Sequence, residues 1–298
     1  MATLVCFGLG YCAEHYVSEF GGRFSRIVGT ARSPERVAKL SRRDFDGRSV
    51  EMLAFDGTTA TPAVTAAINE SDALLISAAP DAHGDPVLAA LGDALTRAPR
   101  VATIVLLSTV GVYGDHGGGW VDETTPPQHA RERAQERIAA EQAWQTFGRQ
   151  RGAAAAVLRL SGIYGPGRNA LLNVSRGQAR NIVKPGQVFN RIHVADIAQA
   201  IEAAVAQRAD GVFNVTDDEP TPPGDPIVFA AELLGIAPPP AIAFAEAVKT
   251  MSPMAAAFYG ENRRVRNDKL KRALGVRLRY PTFREGLRAL HAQGEGAT

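Results

Sequence analysis

The most informative part of the sequence is Thr3–Arg32, which reads TLVCFGLGYCAEHYVSEFGGRFSRIVGTAR. It contains, in order, an apolar strand, a glycine turn, a helix and a second strand. This order is typical of the first strand–helix–strand unit of a dinucleotide-binding sheet. Gly8 permits a tight turn, Gly10 has no Cβ to block a pyrophosphate at the helix N-terminus, and Ala13 occupies the third small position. We therefore expect a nucleotide to bind here, although a tight strand–helix turn without a ligand has the same pattern.

The predicted helix begins with Tyr11 and Cys12, which directly follow the turn and are therefore expected to contact the nucleotide. The N-terminus of a helix can lower the pKa of a cysteine thiol, although a small buried residue is the simpler interpretation of Cys12. Cys6, the other cysteine, is expected to face the core from the first strand. Two cysteines do not form a disulfide framework.

The end of the second strand selects the dinucleotide. NAD-selective sites usually place an acidic residue there, which accepts hydrogen bonds from the ribose 2′-hydroxyl. This chain has Thr30, Ala31, Arg32 and Ser33 instead. A guanidinium and hydroxyl groups suit a 2′-phosphate, so Thr30, Arg32 and Ser33 predict NADP rather than NAD. The alternative is that Arg32 is a solvated surface residue.

The composition fits a globular α/β protein. The 298 residues are 45% hydrophobic and 21% charged, which is enough for a full core. The net charge of +2 does not indicate a nucleic-acid partner. No signal peptide is recognisable, and no apolar run approaches the roughly 20 residues of a membrane span. We therefore expect a cytoplasmic protein with a small-molecule substrate, no nucleic-acid partner and no membrane contact. The histidines and cysteines show no metal-ligand spacing, so no metal site is predicted.

Strand and helix patterns alternate through the first two thirds of the chain. Further strands are predicted at Arg26–Thr30, Val50–Phe55, Ala73–Ser77, Thr103–Leu107 and Ala155–Leu160, and a long helix at about Ala130–Arg149. Continuous apolar strands separated by helices indicate an α/β fold of the Rossmann type, a doubly wound parallel sheet with its ligand at the carboxyl ends of the strands. Asp56, Ala78 and Ala79 follow strand ends and are expected to contact the cofactor, Asp56 at the adenine amino group.

The amino-acid composition of the chain changes after Asp217. Proline-rich segments surround a short predicted helix at about Ile227–Leu234, and a basic run from Arg263 to Arg272 follows. We therefore predict a nucleotide-binding domain at 1–216 and a smaller substrate-side subdomain at 217–298, with 161–192 also lining the cleft. The basic run has two interpretations, a solvated helix face or a charged wall of the substrate cleft.

Several motifs together resemble the extended and atypical short-chain dehydrogenase/reductase superfamily, that is, the NAD(P)-dependent epimerase/dehydratase group. Besides the glycine turn, the motifs are STVGVYG at Ser108–Gly114, AAEQ at Ala139–Gln142, LRLSGIYGPG at Leu158–Gly167, RIHVADIA at Arg191–Ala198 and YPTFREGL at Tyr280–Leu287. They occur in the family's order and span nearly the whole chain. The resemblance implies the same fold, a nicotinamide cofactor, and cofactor contacts at Ser108, Gly162 and Ile163.

The sequence departs from the family at the catalytic pair. The family uses a Tyr and a Lys four residues apart on the long helix, with a Ser or Thr at the end of the fifth strand. Thr109 matches the hydroxyl position, whereas the AAEQ motif places Arg133 at the Tyr position and Arg137 at the Lys position. Arginine keeps its proton, so Arg137 can orient the cofactor ribose but Arg133 cannot replace a phenol.

Other side chains near the expected nicotinamide end offer alternatives. Tyr113 and Tyr164 each follow a strand end and are weaker candidates for a proton donor. The resemblance implies a structural role for His193, and Asp196 is expected to cap the helix from Ile197 to Gln207.

Two functions fit the sequence. The first is an NADP-dependent oxidoreductase, epimerase or dehydratase that acts on a small carbonyl or sugar-like substrate with Thr109, Arg137, Tyr113 and Arg133 as candidate catalytic residues. The second is a non-catalytic NADP-binding redox sensor or scaffold. The resemblance also implies a homodimer through the long helix and its neighbour, with Trp144 and Phe147 as candidate contacts, although core packing explains these two residues equally well.

Overall fold

A seven-stranded parallel sheet forms the centre of the structure, a computed structural model that describes residues 2–128 and 131–297. The strands lie in the order Gly211–Val215, Ala154–Leu160, Thr103–Thr109, Ala73–Ile76, Thr3–Phe7, Arg26–Ala31 and Glu51–Ala54. All six strand pairs in this sheet are parallel. The order reverses direction between Thr3–Phe7 and Ala73–Ile76, which is the switch point of a doubly wound sheet. The predicted fold class is confirmed.

The elements have the following bounds. The strands are β1 Thr3–Phe7, β2 Arg26–Ala31, β3 Glu51–Ala54, β4 Ala73–Ile76, β5 Thr103–Thr109, β6 Trp120–Val121, β7 Ala154–Leu160, β8 Gly162–Tyr164, β9 Asn181–Val183, β10 Arg191–His193, β11 Gly211–Val215, β12 Ala241–Ala243 and β13 Arg264–Val265. The α-helices are α1 Tyr11–Phe20, α2 Pro34–Ser41, α3 Pro62–Glu70, α4 Pro86–Arg97, α5 Glu132–Arg151, α6 Ala170–Ser175, α7 Val194–Gln207, α8 Asp225–Leu233, α9 Phe244–Ala247, α10 Pro253–Phe258, α11 Asp268–Leu274 and α12 Phe283–Ala292.

Alternate side chains of each central strand pack on opposite faces of the sheet. On β1, Leu4 and Cys6 belong to the core under α1 and α7, whereas Val5 and Phe7 belong to the core under α3 and α4. Both faces are therefore buried, which explains why the strands are apolar throughout rather than alternating.

Three helices that follow strand ends begin with the same local device. Ser33, Thr61 and Asp85 cap α2, α3 and α4, and in each case proline is the next residue. A capping oxygen satisfies an otherwise unpaired backbone N–H, and proline fits the first helical position because its N–H is not needed there. These caps fix where the chain turns back from the carboxyl edge of the sheet.

The C-terminal part of the chain builds smaller cores beside the sheet. Leu171 and Val174 of α6 pack with Ala230 of α8 and with Phe283 and Leu287 of α12. α11 instead returns to the main core, where its Leu270 and Leu274 pack with α7 and β11. The predicted division at 216/217 stays a prediction.

The helices α5 and α7 begin at residues other than those predicted from the sequence. The long helix α5 begins at Glu132, and Ala130, its predicted first residue, lies outside the described residues. α7 begins at Val194 and its cap is His193, whose side chain accepts from the N–H of Ala195. The expectation that Asp196 caps this helix was wrong. Its carboxylate lies in the first turn and accepts from the N–H groups of Arg279 and Tyr280.

Within the described part of the chain, none of the helices has the length and apolar character needed to cross a membrane.

Candidate functional site

The glycine turn lies at the carboxyl end of β1, beside the end of β4. Gly8 has φ +87°, and a Cβ there would lie 3.2 Å from the backbone nitrogen of Ala78, so only glycine fits. The N–H of Gly8 donates to the hydroxyl of Thr30 at 3.0 Å, and the N–H of Leu9 donates to the Thr30 carbonyl at 2.8 Å. Thr30 is buried. Its side chain therefore holds the turn, and the expected contact of Thr30 with the cofactor stays a prediction.

The first turn of α1 leaves space for an anion. A Cβ on Gly10 would meet nothing within 4 Å, and Gly10 caps the helix without any side-chain hydrogen bond. A helix N-terminus of this kind presents N–H groups and a partial positive charge to a phosphate. The open space at Gly10 fits the pyrophosphate of a dinucleotide.

Tyr11 and Cys12 contribute to this turn in different ways. The Tyr11 hydroxyl donates to the carbonyl of Pro166 at 3.0 Å and so joins α1 to the loop after β8. Burial raises the pKa of the Cys12 thiol to about 11. The lowered pKa considered from the sequence was wrong, since desolvation outweighs the helix N-terminus, and Cys12 is a small buried residue.

The end of β2 carries both attractive and repulsive groups for a 2′-phosphate. Arg32 and Ser33 are exposed, and the Ser33 hydroxyl accepts from the N–H of Arg36 at 3.3 Å as the cap of α2. The sequence prediction overlooked Glu35 in the first turn of α2. Hydrogen bonds from its own backbone N–H and from the Ser33 hydroxyl lower the pKa of Glu35. A carboxylate therefore lies close to the residues predicted to select NADP.

A buried carboxylate connects this loop to α1. Glu14 is 6% exposed and forms ion pairs with both Arg36 and Arg43. These two guanidinium groups are therefore engaged, whereas the Arg32 side chain forms no hydrogen bond or ion pair with any described residue.

The remaining predicted cofactor residues border the same edge of the sheet. Asp56 is exposed, and its Oδ1 accepts from the N–H groups of Thr58 and Thr59, which lowers the pKa of the Asp56 carboxyl. Ala78 and Ala79 follow β4 next to Gly8. Gly162 and Ile163 form β8, which pairs with β10. Their contacts with a cofactor stay predictions.

The predicted reaction centre lies at the end of β5. Thr109 is half-buried, and its hydroxyl oxygen accepts from the N–H of Gly111 at 3.0 Å, which leaves its proton available to a ligand. Arg137 of α5 donates from Nη1 to the carbonyl of Leu107 at 3.2 Å and therefore lies at the same strand end. Burial lowers the pKa of Arg137, against the opposing charges of Asp85 and Glu141. Arg133 is exposed, one turn earlier on α5.

Ser108 does not face the cleft. Its hydroxyl donates to Glu141 at 2.5 Å, and Glu141 in turn pairs with Arg159 at 2.7 Å, with side chains that are 4% and 5% exposed. The side chain belongs to a buried polar network that holds the end of β5 against α5 and β7, and the expected cofactor contact of Ser108 stays a prediction.

Both candidate tyrosines are buried, and their hydroxyl groups already donate a hydrogen bond. Tyr113 is fully buried, donates to Asn214 at 2.8 Å, and lies under the guanidinium of Arg159 at 4.9 Å. Tyr164 is also buried, and its hydroxyl donates to the carbonyl of Thr282 at 3.3 Å. Burial raises the pKa of both phenols. Tyr113 packs in the core, and the catalytic role considered for it stays a prediction.

One cation of the basic run reaches the cleft. Nη2 of Arg263 lies 4.0 Å from the position that a Cβ on Gly111 would take, and Nη1 donates to the Gly114 carbonyl at 2.5 Å. Glu261 accepts from Nη1 of Arg263 at 2.7 Å and pairs with Arg131 at 3.0 Å. The sequence allowed a charged wall here but gave no sign that Arg263, among six similar cations, is the one beside Thr109.

His193 is buried between two aromatic rings. Its ring centroid lies 4.2 Å from that of Tyr280 and 5.0 Å from that of Tyr164. Burial lowers the pKa of His193 to about 3, so it is neutral at physiological pH and caps α7 through Nδ1. This agrees with the structural role that the resemblance implied.

Comparison with known proteins identifies the family. The model of the NAD dependent epimerase/dehydratase family matches residues 8–216, from the glycine turn to the end of the sheet. The chain belongs to this family.

Three individual proteins illustrate how this chain resembles known relatives in sequence and structure. A protein of unknown function from Silicibacter pomeroyi DSS has a solved structure with 46% identity, a TM-score of 0.86, and coverage of 99% of this chain and 100% of its own. A 3-diazoavenalumate denitrifying reductase from a Streptomyces species is 32% identical over 137 residues, so the match spans only 44% of this chain and 45% of the reductase. The human epimerase family protein SDR39U1, solved with NADPH, shares the fold at 17% identity, with a TM-score of 0.70 and coverage of 97% and 99%. Other structures with this fold contain NAD.

Proposed function

We propose that this protein is an NADP-dependent oxidoreductase or epimerase that acts on a small carbonyl or sugar-like substrate without the usual tyrosine. The observation that carries the proposal is the glycine turn, in which Thr30 fixes Gly8 against Ala78 and leaves Gly10 open to a pyrophosphate. Arg32 and Ser33 support NADP over NAD because a guanidinium pairs with a 2′-phosphate.

The residues that would hold the cofactor lie along one edge of the sheet. The glycine turn and the first turn of α1 would bind the pyrophosphate, and the end of β2 would bind the adenosine ribose. When bound, a nicotinamide dinucleotide supplies or accepts a hydride. Arg137, fixed on the Leu107 carbonyl, would place a constant positive charge beside the nicotinamide half.

The substrate would occupy the space above Thr109. The Thr109 hydroxyl would donate to the reacting oxygen, because its own lone pair is already held by the Gly111 N–H. Arg263 would stabilise negative charge on that oxygen or on a neighbouring group of the substrate. Since none of the described tyrosines beside this centre is free, the final proton would come from solvent. The partial match to a reductase supports oxidoreductase chemistry over epimerisation.

A second function, an NADP-binding redox sensor or scaffold, has a specific observation in its favour. The position of the family's phenol holds Arg133, an exposed residue that cannot release a proton near neutral pH. A protein that retains the glycine turn but has lost the catalytic phenol would bind NADP without turnover.

Calorimetric binding of NADPH and NADH, followed by turnover assays with aldehydes, ketones and nucleotide sugars, tests both functions. The enzyme predicts NADPH-dependent turnover that Thr109→Ala reduces by at least tenfold, whereas Thr65→Ala on α3 serves as a matched control. Binding without turnover of any substrate favours the sensor. No binding at millimolar cofactor would refute both functions.

A homodimer is part of the proposal. A groove of about 540 Å³ lies between α4 and α5, lined by Gly92, Ala139, Ala143, Phe147 and others. Small residues on two adjacent helices allow a second helix pair to approach closely. Phe147 borders this groove and could contact a second protomer, whereas Trp144 is fully buried in the core of its own protomer. Sedimentation velocity of the protein and of an Ala143→Glu variant tests the dimer.

A cytoplasmic location is also proposed, and cell fractionation tests it.

A further inference from the structure

The loop after β8 forms a hairpin beside the start of α1. Gly165 and Arg168 pair through two backbone hydrogen bonds of 2.9 and 3.0 Å, and Gly167 at the tip has φ +72°. Glu295 holds the hairpin from the other side, since its carboxylate accepts from the N–H of Gly167 at 2.9 Å and from the Asn169 amide at 3.0 Å. Both ends of the loop are therefore fixed.

This hairpin brings Arg168 to the glycine turn. The Tyr11 hydroxyl binds the carbonyl of Pro166, and the Arg168 guanidinium carbon lies 6.0 Å from the centroid of the Tyr11 ring. The charge of Arg168 opposes the effect of burial on the pKa of Cys12, so it acts on the first turn of α1. The Arg168 side chain is exposed and forms no hydrogen bond or ion pair with any described residue.

The glycine turn itself has no cation. From Gly8 to Glu14 the sequence is GLGYCAE, so the turn offers a pyrophosphate only backbone N–H groups, with the Glu14 carboxylate four residues after Gly10. A doubly charged group held by neutral donors alone gains from a guanidinium on the open side. Arg168 is on a separate loop, about 155 residues away in sequence, which is why the family motif at the turn does not reveal it.

We propose that Arg168 is a cofactor-binding residue that closes over the pyrophosphate from the hairpin 165–168. The inference rests on the proposed dinucleotide function and adds a clamp to it. Arg32 and Arg168 then divide the work: Arg32 recognises the 2′-phosphate at the end of β2, and Arg168 recognises the pyrophosphate at the end of β1.

Three ligands separate these contacts in calorimetric titrations. NADPH contains the nicotinamide, the pyrophosphate and the 2′-phosphate; 2′-phospho-ADP-ribose lacks the nicotinamide; adenosine 2′-monophosphate lacks the pyrophosphate as well. Loss of a charge-assisted contact weakens binding by about 10- to 100-fold. Arg168→Ala is expected to weaken NADPH and 2′-phospho-ADP-ribose by this factor and to leave adenosine 2′-monophosphate unchanged. Arg168→Lys is expected to recover part of the loss, and a smaller salt dependence of NADPH binding should accompany Arg168→Ala.

Arg176→Ala, another exposed arginine at the end of α6, is the matched control and should bind all three ligands normally. Equal thermal unfolding of the ligand-free variants will show that the fold is intact, since the side chain of Arg168 makes no structural hydrogen bond. Unchanged binding of 2′-phospho-ADP-ribose by Arg168→Ala overturns the proposal, and a loss restricted to NADPH would place Arg168 at the nicotinamide or substrate instead. Wild-type protein that binds none of the three ligands overturns the proposed function itself.

Discussion

The buried network of Ser108, Glu141 and Arg159 gives the sharpest stability prediction. Replacing Glu141 by Gln keeps the side-chain shape but removes the negative charge that two donors share. Arg159 donates to Glu141 from Nε at 3.1 and 3.2 Å and from Nη2 at 2.7 Å, and Ser108 donates at 2.5 Å. A glutamine amide has only one oxygen for these donors, and its NH₂ group faces another donor.

The expected cost follows from burial. Because both partners of the ion pair are about 95% buried, Glu141→Gln leaves a guanidinium without a counter-ion in the core. Breaking a buried pair on one side costs about 3–5 kcal/mol. At roughly 2–4 °C per kcal/mol for large domains, the melting temperature should fall by on the order of 10 °C.

Urea denaturation followed by circular dichroism measures the change in unfolding free energy. Glu232→Gln on the exposed side of α8 is the control and should change it by less than about 0.5 kcal/mol. The double variant Glu141→Leu with Arg159→Met removes both charges and should be more stable than Glu141→Gln, since apolar replacements of a buried pair are often neutral. A Glu141→Gln protein within about 1 kcal/mol of wild type would show that the pair is not desolvated, and the reasoning would fail.

Three further outcomes are expected. Arg32→Ala should reduce the preference for NADPH over NADH by about tenfold, whereas Glu35→Gln should increase it because a like charge beside the 2′-phosphate is removed; dissociation constants for both cofactors will show whether the shifts have opposite signs. Tyr113→Phe should lower the unfolding free energy by about 1 kcal/mol through the lost hydrogen bond to Asn214, yet leave turnover intact, and a turnover loss above tenfold would restore Tyr113 as a proton donor. Because the pKa of His193 is lowered to about 3, the unfolded chain binds a proton below about pH 6.5, whereas the folded protein binds it only near pH 3. As the pH decreases through this window, the unfolding free energy of the wild type should therefore decrease by up to about 1.4 kcal/mol per pH unit more than that of His193→Asn. Equal slopes for the two proteins in denaturation at several pH values would contradict this.

The fold was predictable because its signals are local. Six of the seven central strands are apolar runs bounded by turn residues, and their predicted ranges agree with the structure within two residues at either end. The seventh, β11 at Gly211–Val215, was not predicted. The start of α7 was not predictable in the same way. Asp196 is a good capping residue by type, but its carboxylate is used by the backbone of Arg279, 83 residues away, and the cap falls to His193.

The site was predictable only where backbone conformation dictates residue type. Gly8 is required by its φ of +87° and by its close approach to Ala78, so its place in the turn could be predicted from sequence, whereas the backbone at Gly10 would accept a Cβ. Ser108 and Thr109 are adjacent hydroxyl residues on β5, and pleating sends one to the buried network and the other to the cleft. Arg263 could not be singled out because its position depends on a long-range approach of the C-terminal segment to Gly111.

The pairing of Glu14 with Arg36 and Arg43 has a practical meaning for redesign of cofactor choice. One route to an NAD-dependent variant is to exchange residues 32 to 36 after β2 as a block. In this chain that block contains one of the two cations that neutralise a carboxylate in the helix behind the glycine turn. A transplant that discards Arg36 would loosen the very helix that receives the pyrophosphate, so the exchange should stop at residue 35.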